Sequence, residues 1–359
     1  MKRSGLLTKS GNQVDPSNVP GFEFVMSASQ KSTTTIAERL SRNAFVVIGR
    51  AGMDFYPDPP GTRSEDATHF VSHLGGSSAN IAVAIAKHDG QASLVTCVSD
   101  DAVGRFCINQ LTHYGVDSTH VRAVAGEFRN SLAVSESRVE DHQTVIYRNG
   151  AADFQMNLED VAAINYKAFG ALITTGTVLA AEPSRSAAFG AFDRARAAGL
   201  ALIFDIDYRP YSWSSAEEAQ SVYSRAGELC DIIIGNDVEF GFMAGSYDKG
   251  LQKARELAHS TASIVVYKMG EKGAITITPD EEIQTGIYPV EALKPTGAGD
   301  SFLGGFVASL AANYGLSESV LRGSACASIV VSRVGCAPAM PTKTELAEFL
   351  ATHSGPTSS

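Results

Sequence analysis

Short apolar runs of strand length recur along this chain with helical stretches between most of them, and no other feature narrows the possible folds as far. Ala44-Phe-Val-Val-Ile48, closed by Gly49, is the first such run. Others stand at 93–98, 171–174, 200–205, 231–235, 263–267 and 274–278. Helical patterns occupy 79–88, 104–114, 184–198, 216–227 and 249–259, and two long apolar helices are expected at about 301–313 and 318–334. A short apolar run bounded by turn residues fits a buried strand. Strands alternating with helices predict an α/β fold whose mainly parallel sheet is covered on both faces.

Two regions break that rhythm. Residues 69–74 and 131–148 read as strands with polar alternation, and no helix follows them directly. Such strands suit a small sheet standing away from the main one, as a cover over a cleft. Residues 1–42 are polar and rich in Ser and Thr, so they are expected to form a flexible extension. The basic start of that segment has no sustained apolar core and does not read as a signal peptide.

Composition bears on partners. The net charge of −10 argues against nucleic acid, which needs a basic face. It leaves a nucleotide substrate open, because local N–H groups and Mg²⁺ can hold one triphosphate. No apolar run approaches the ~20 residues that span a bilayer. Cys97, Cys107, Cys230, Cys326 and Cys336 are scattered and contain no C-x-x-C pair, which suits a reducing cytoplasm better than a disulfide framework or a zinc site.

The stretch richest in chemistry is Lys294-Pro-Thr-Gly-Ala-Gly-Asp-Ser-Phe-Leu-Gly-Gly-Phe306. Pro295 stops the preceding strand, and Gly297-Ala298-Gly299 lets the backbone turn tightly so that its N–H groups converge. A helix is expected to start at once. Its N-terminus carries partial positive charge and free donors, a natural seat for an anion. Asp300 at that start faces the same anion. The placement is unfavourable unless the carboxylate takes the proton of an attacking hydroxyl. The plain alternative is an ordinary N-cap on an ordinary glycine turn. This is no Walker loop, since no G-K-[ST] follows.

Four motifs in order give the chain a resemblance. Thr296-Gly-Ala-Gly-Asp300 with Ser-Phe-Leu-Gly-Gly-Phe306 resembles the C-terminal motif of the PfkB (ribokinase-like) carbohydrate kinases. Gly75-Gly-Ser-Ser-Ala-Asn80 resembles their di-glycine motif, Asn236-Asp-Val-Glu239 their N-x-x-E motif, and Lys268-Met-Gly-Glu-Lys-Gly273 the turn bordering their nucleotide. The resemblance implies a Rossmann-like, three-layer α/β/α ribokinase-like fold with a small β-sheet lid. The kinase domain would span 43–345, the lid about 54–75 and 131–150, and 346–359 would be a helix end and tail. It further implies ATP as co-substrate, Mg²⁺, and a sugar or sugar acid as acceptor. Asp300 would be the catalytic base, with Gly297, Ala298 and Gly299 as the anion hole. Asp54, Gly75, Gly76 and Asn80 would contact the sugar. Lys268, Gly270, Gly273 and Asn236 would border the nucleotide. Asn236, Glu239 and Arg209 would lie near the phosphates, with Glu239 reaching the metal through water. Read without the family, Asp54 is a loop aspartate capping a turn, and Glu239 is a solvent-facing helix carboxylate.

Within the family, Gly49-Arg50-Ala-Gly-Met-Asp54, Asp205-Ile-Asp-Tyr-Arg209-Pro-Tyr-Ser-Trp213 and Tyr147-Arg148 are similar to the branch that phosphorylates a keto-sugar acid of myo-inositol breakdown. Arg50 and Arg148 would bind its carboxylate, since a guanidinium fork offers two parallel hydrogen bonds. Alternatives are another acidic-sugar kinase, a neutral-sugar kinase such as a fructokinase or ribokinase, a nucleoside or vitamin kinase, and a sugar-binding regulator on a dead kinase fold. A dead kinase should have lost its base or its glycine turn, and neither is lost. A lid with an exposed apolar face also suggests a homodimer. One departure stands out. Many members carry Asp, where this chain has Lys294, to help bind an activating monovalent cation. Lys294 either supplies that charge itself or points to solvent with the cation site missing.

Overall fold

Every residue of the central strands is shielded from solvent, and the two faces of those strands feed different cores. The structure is a computed structural model that describes residues 33–357. The chain opens with α1 (Thr33–Leu40), β1 (Ala44–Ile48), β2 (Gly52–Pro57), β3 (Phe70–Gly75), α2 (Ser77–Lys87), β4 (Gln91–Ser99), α3 (Ala102–His113) and β5 (Val121–Val124). It continues with β6 (Leu132–Ser135), β7 (Thr144–Tyr147), α4 (Leu158–Ala162), β8 (Ala171–Thr175), α5 (Ser184–Ala197), β9 (Ala201–Asp205), α6 (Ala216–Leu229), β10 (Ile232–Asn236), α7 (Asp237–Met243) and α8 (Gly250–Ser260). Last come β11 (Ile264–Lys268), β12 (Ala274–Ile277), β13 (Glu282–Thr285), α9 (Ala298–Ala311), α10 (Leu316–Val331) and α11 (Lys343–Thr352).

The main sheet has nine strands in the order β13-β12-β11-β10-β9-β8-β1-β4-β5. Strands β5 to β11 of that order pair in parallel, and β12 and β13 close the edge antiparallel. Successive side chains of a strand point to opposite faces. Phe45 and Val47 therefore join α1, α2, α9 and α10 in one core, while Val46 and Ile48 join α5, α6 and α8 in the other. The β9 to β11 segments repeat this division with Ile203, Ile232, Ile234 and Val266 against Phe204, Ile233 and Val265. Each such side chain contributes roughly 1.5–3 kcal/mol on burial. The result is the three-layer α/β/α arrangement expected from the alternation.

The second sheet is the lid, ordered β3-β2-β6-β7. β2 pairs antiparallel with β3 and parallel with β6, and β6 and β7 form a hairpin. The hairpin connection is pinned by Glu136, whose carboxylate accepts the Ser64 and Gln143 N–H groups at 2.8 and 3.2 Å.

Two expectations need correction. The extension assigned to residues 1–42 is helical over Thr33–Leu40, and Ile36 and Leu40, one turn apart, are buried in the core. Residues 1–32 lie outside the described residues. The helix end expected after 345 is that of α11, which starts at Lys343 and buries Leu346 and Phe349. Asp54 is no loop residue: it is a rung of β2, opposite His73 of β3. The described residues, 33–357, belong to one compact unit.

Candidate active site

The carboxyl ends of β1, β8, β9, β10 and β11 all open toward one side of the main sheet, and the cleft lies there, where open α/β sheets place ligands. Its volume is about 1040 Å³, large enough for two small ligands side by side. Each strand end delivers a polar side chain to it: Arg50 just past β1, Thr177 past β8, Asp205 at the end of β9, Asn236 of β10 and Lys268 of β11. The lid covers one flank with Asp54 and Tyr56 of β2 and Arg148 at the end of β7.

The floor is the first turn of α9. Gly297 is its N-cap at φ 84, a left-handed conformation that favours glycine. The helix starts at Ala298, three residues before the predicted start at 301, so Asp300 sits within the first turn rather than ahead of it. The first N–H groups of a helix lack partners within it. Those of Gly297, Ala298, Gly299 and Asp300 therefore gather where an anion could sit. Lys268 approaches from β11: a Cβ on Gly299 would stand 3.4 Å from its ammonium, which also lies 5.6 Å from the Phe302 ring centroid.

Asn80, in the first turns of α2, donates from Nδ2 to the Asp300 carboxylate at 2.8 Å. The bond crosses from one helix start to another and fixes the acid. Burial pushes the Asp300 carboxyl up to about 7, and repulsion from Asp207 adds to this, while Asn80, Arg209 and Lys268 oppose it. A carboxyl titrating near neutrality is what a general base requires.

The acids around it differ in state. Burial raises Asp205 well above the carboxylate range, against the pull of Lys268. Burial also raises Glu239, opposed first by Lys268. For Asp207 burial is outweighed jointly by the Arg209 guanidinium at 2.6 Å, the Ser77 hydroxyl, Arg50 and Arg148, which together hold the carboxyl below its usual range. Glu239 is buried, unlike the solvent-facing carboxylate read from sequence alone. Its Oε2 accepts the Asn236 N–H at 2.8 Å while Asn236 Oδ1 accepts the Glu239 N–H at 2.9 Å, a capping box that starts α7.

The paired glycines at 75 and 76 make space. A Cβ on Gly75 would overlap the Asp54 carboxyl at 2.1 Å, and one on Gly76, at φ 96, would meet the Arg50 carbonyl at 2.5 Å. Gly76 lines the cleft, whereas Gly75 stands against Asp54 and leaves room for its carboxyl. Asp54 Oδ1 and Asn80 Oδ1 are buried without a partner, two acceptors awaiting hydroxyl donors. Burial raises the Asp54 carboxyl, and Arg50, Tyr56 and Lys294 counter it.

Arg50 is buried and its Nη1 donates to Ser131 Oγ at 3.0 Å. Arg148 is more committed than its sequence suggests. It forms an ion pair with buried Asp153 and stacks 4.1 Å from the Phe154 ring centroid, while its Nε has no partner. Gly270 and Gly273 border the cleft beside Lys268 as expected. The residues missed from sequence are Tyr56, Asp205 and Asp207. Tyr56 is findable, since two residues after Asp54 on a strand is the same face. Lys294 is fully buried, which removes the version in which it points to solvent.

Comparison with known proteins agrees with this geometry. Residues 42–343 match the family described as pfkB family carbohydrate kinase. The chain is 38% identical over 313 residues to a 5-dehydro-2-deoxygluconokinase of Photobacterium profundum, covering 86% of this chain and 94% of that one. It is 35% identical over 314 residues to the protein of the same name from Geobacillus kaustophilus, with the same two coverages of 86% and 94%. Among solved structures, fructokinase from Vibrio cholerae O395 in its fructose, ADP and calcium ion bound form superimposes with a TM-score of 0.75 at 26% identity, over 86% of this chain and 99% of that one.

Proposed function

This chain belongs to the pfkB family of carbohydrate kinases, and we propose that the sugar it phosphorylates is an acid, 5-dehydro-2-deoxygluconate, as the names of its curated relatives suggest. The observation that carries the acid is Arg50. It is buried at the cleft wall, forms no ion pair with a carboxylate among the described residues, and has Ser131 as its side-chain partner. A buried guanidinium left with open donors favours an anionic ligand, and a carboxylate satisfies it with two bonds. The unpartnered Arg148 Nε points to the same need.

The chemistry is phosphoryl transfer from ATP. The sugar lies between the lid and α2, with hydroxyls on Asp54 Oδ1 and Asn80 Oδ1. Its primary hydroxyl gives its proton to Asp300 as the oxygen attacks the γ-phosphorus. The bond from phosphorus to the β–γ bridging oxygen breaks, and ADP leaves with that electron pair. The N–H groups at the start of α9 and the Lys268 ammonium face the charge on the transferring group, where fixed donors act most strongly. Mg²⁺ fits this setting through Glu239, whose Oε1 is spare of the capping box, with water between. It would neutralise phosphate charge. Among the described residues no cluster of three or more metal-binding side chains forms, so phosphate and water oxygens would supply most of its shell, the usual habit of this ion. The exposed Phe70, Val71, Val145 and Tyr147 of the lid support a homodimer. No helix among the described residues is long and apolar enough to cross a membrane.

ADP release measured against a panel of sugar acids, neutral sugars and nucleosides tests this reading. The expected result is a kcat/KM for 5-dehydro-2-deoxygluconate far above those for fructose and ribose. Equal values for acidic and neutral sugars would remove the acid and leave the kinase.

A further inference from the structure

Lys294 is the only lysine among the described residues that is wholly buried, with no exposed surface. It lies between β13 and α9 and lines the cleft beside the Gly297 turn. Its ammonium donates to the carbonyl oxygen of Thr296 and, at 3.4 Å, to that of Val330. No carboxylate among the described residues forms an ion pair with it, and Asp300 and Asp54 act on it only through space. A buried ammonium without a paired anion is costly. Packing alone does not account for it, since a methionine would fill the same space.

The reason lies in how two helices meet. Val330 belongs to the last turn of α10, and the carbonyl end of a helix carries partial negative charge. That end stands directly behind the anion hole: a Cβ on Gly297 would touch Val330 Cγ1 at 3.1 Å and Cys336 Sγ at 2.9 Å. The Leu293 and Lys294 N–H groups both donate to the Val331 carbonyl, at 2.7 and 3.1 Å, and fix the segment there. The donor end of α9 and the acceptor end of α10 are thus neighbours, and their fields oppose each other where a phosphate must sit.

We propose that Lys294 is a built-in cation of the phosphoryl-transfer site, covering the carbonyl end of α10 so that the field at the start of α9 stays positive for the γ-phosphoryl group. It acts through the helix ends rather than by touching substrate, so it is a positioning residue in the electrostatic sense. The inference rests on the kinase reading but not on the identity of the sugar. A failed sugar panel would change the ranking of acceptors and leave the effects below intact.

The test uses Lys294→Met and Lys294→Ala in the full chain, with kcat, both KM values and thermal unfolding measured for each. For Lys294→Met the expected result is a kcat at least about tenfold lower, less than the about 10²–10³-fold that loss of a donor touching the oxyanion produces because Lys294 acts through the helix ends, with the sugar KM nearly unchanged. Its melting temperature should match or exceed the parent's, because an unpaired buried charge has been removed. Lys294→Ala leaves room for an ion, and K⁺ or NH₄⁺ at fixed ionic strength should restore several-fold more turnover than tetramethylammonium does. The unaltered protein should be indifferent to that exchange. A methionine variant as fast as the parent would overturn the proposal. So would an alanine variant that folds but ignores small cations. Strong K⁺ activation of the unaltered protein would do the same without any variant, since it would show the position still open to an external ion.

Discussion

The lid and the floor of the cleft hold their functional groups in different ways. The floor is the start of α9, a helix whose residues from Ser301 to Val307 are all buried, and it borders strands such as β1, β8 and β9 that are buried at every position. The lid is one sheet thick, and β3 and β7 leave Phe70, Val71, Val145 and Tyr147 in solvent. Floor groups meet a dense, low-dielectric surrounding that shifts their protonation, as with Asp300. The arginines on the lid side of the cleft, Arg50 just past β1 and Arg148 just past β7, are each held by one polar side-chain partner, Ser131 and Asp153. On the proposed function, the floor would set the rate of the chemical step and the lid side of the cleft the choice and affinity of the acceptor.

Asp300→Asn should give the largest effect. We expect kcat to fall by about 10²–10⁴-fold with the KM for ATP little changed. Stability moves the other way. The folded carboxyl titrates near 7, above its ordinary range, so between about 4 and 7 the folded state holds more protons than the unfolded one. Stability therefore declines as pH rises through that window, and Asn escapes the decline. At pH 8 the variant should melt no earlier than the parent. Turnover above roughly a tenth of the parent's would erase the distinction between floor and lid.

The two cleft arginines should separate from each other. Arg148→Ala strands Asp153 as a buried charge and should cost about 3–5 kcal/mol of stability in denaturant unfolding. Arg50→Ala leaves Ser131 without its partner and takes away a positive charge that opposes the burial of Asp54, but it breaks no ion pair. It should raise the KM of a sugar acid by about 10–150-fold, the equivalent of one charge-assisted bond of about 1.5–3 kcal/mol, while a neutral sugar barely responds. Equal losses for acid and neutral sugars would return Arg50 to a structural role.

The smallest effect sharpens the floor. Asn80→Ala removes the hydrogen bond that favours ionised Asp300, so the apparent pKa on the acid limb of kcat/KM should rise from about 7 by about one unit or more. Activity lost at neutral pH should return at higher pH. A profile that drops uniformly, with its limb unmoved, would mean that Asn80 serves the sugar alone.

The same contrast explains what can be read from the chain. Main-sheet strands announce themselves because burial on both faces favours unbroken apolar runs, as in Ile232–Ile234. β2 hides, because Gly52-Met-Asp-Phe-Tyr-Pro57 alternates and follows a glycine turn, so Asp54 reads as a loop residue and Tyr56 draws no notice. The short edge strands β5 and β13 carry too few apolar residues to register. The motifs locate the floor through family likeness, yet the work of Gly75 is visible only once its 2.1 Å clash with Asp54 is measured. Lys294 is unreadable in the same sense: its neighbour Val330 lies 36 residues further along the chain, and nothing in Lys-Pro-Thr marks it as interior.

The lid enters the chain as two excursions, Gly52–Pro57 with Phe70–Gly75 and Leu132–Ser135 with Thr144–Tyr147, each leaving the main sheet and rejoining it. Drift within either excursion can alter which acceptor is recognised without disturbing the register of the nine strands beneath. Much of the acceptor's surroundings is thus written in two stretches that carry none of the residues of the Gly297–Asp300 turn, while Arg50 and Asn80 tie the two tasks together.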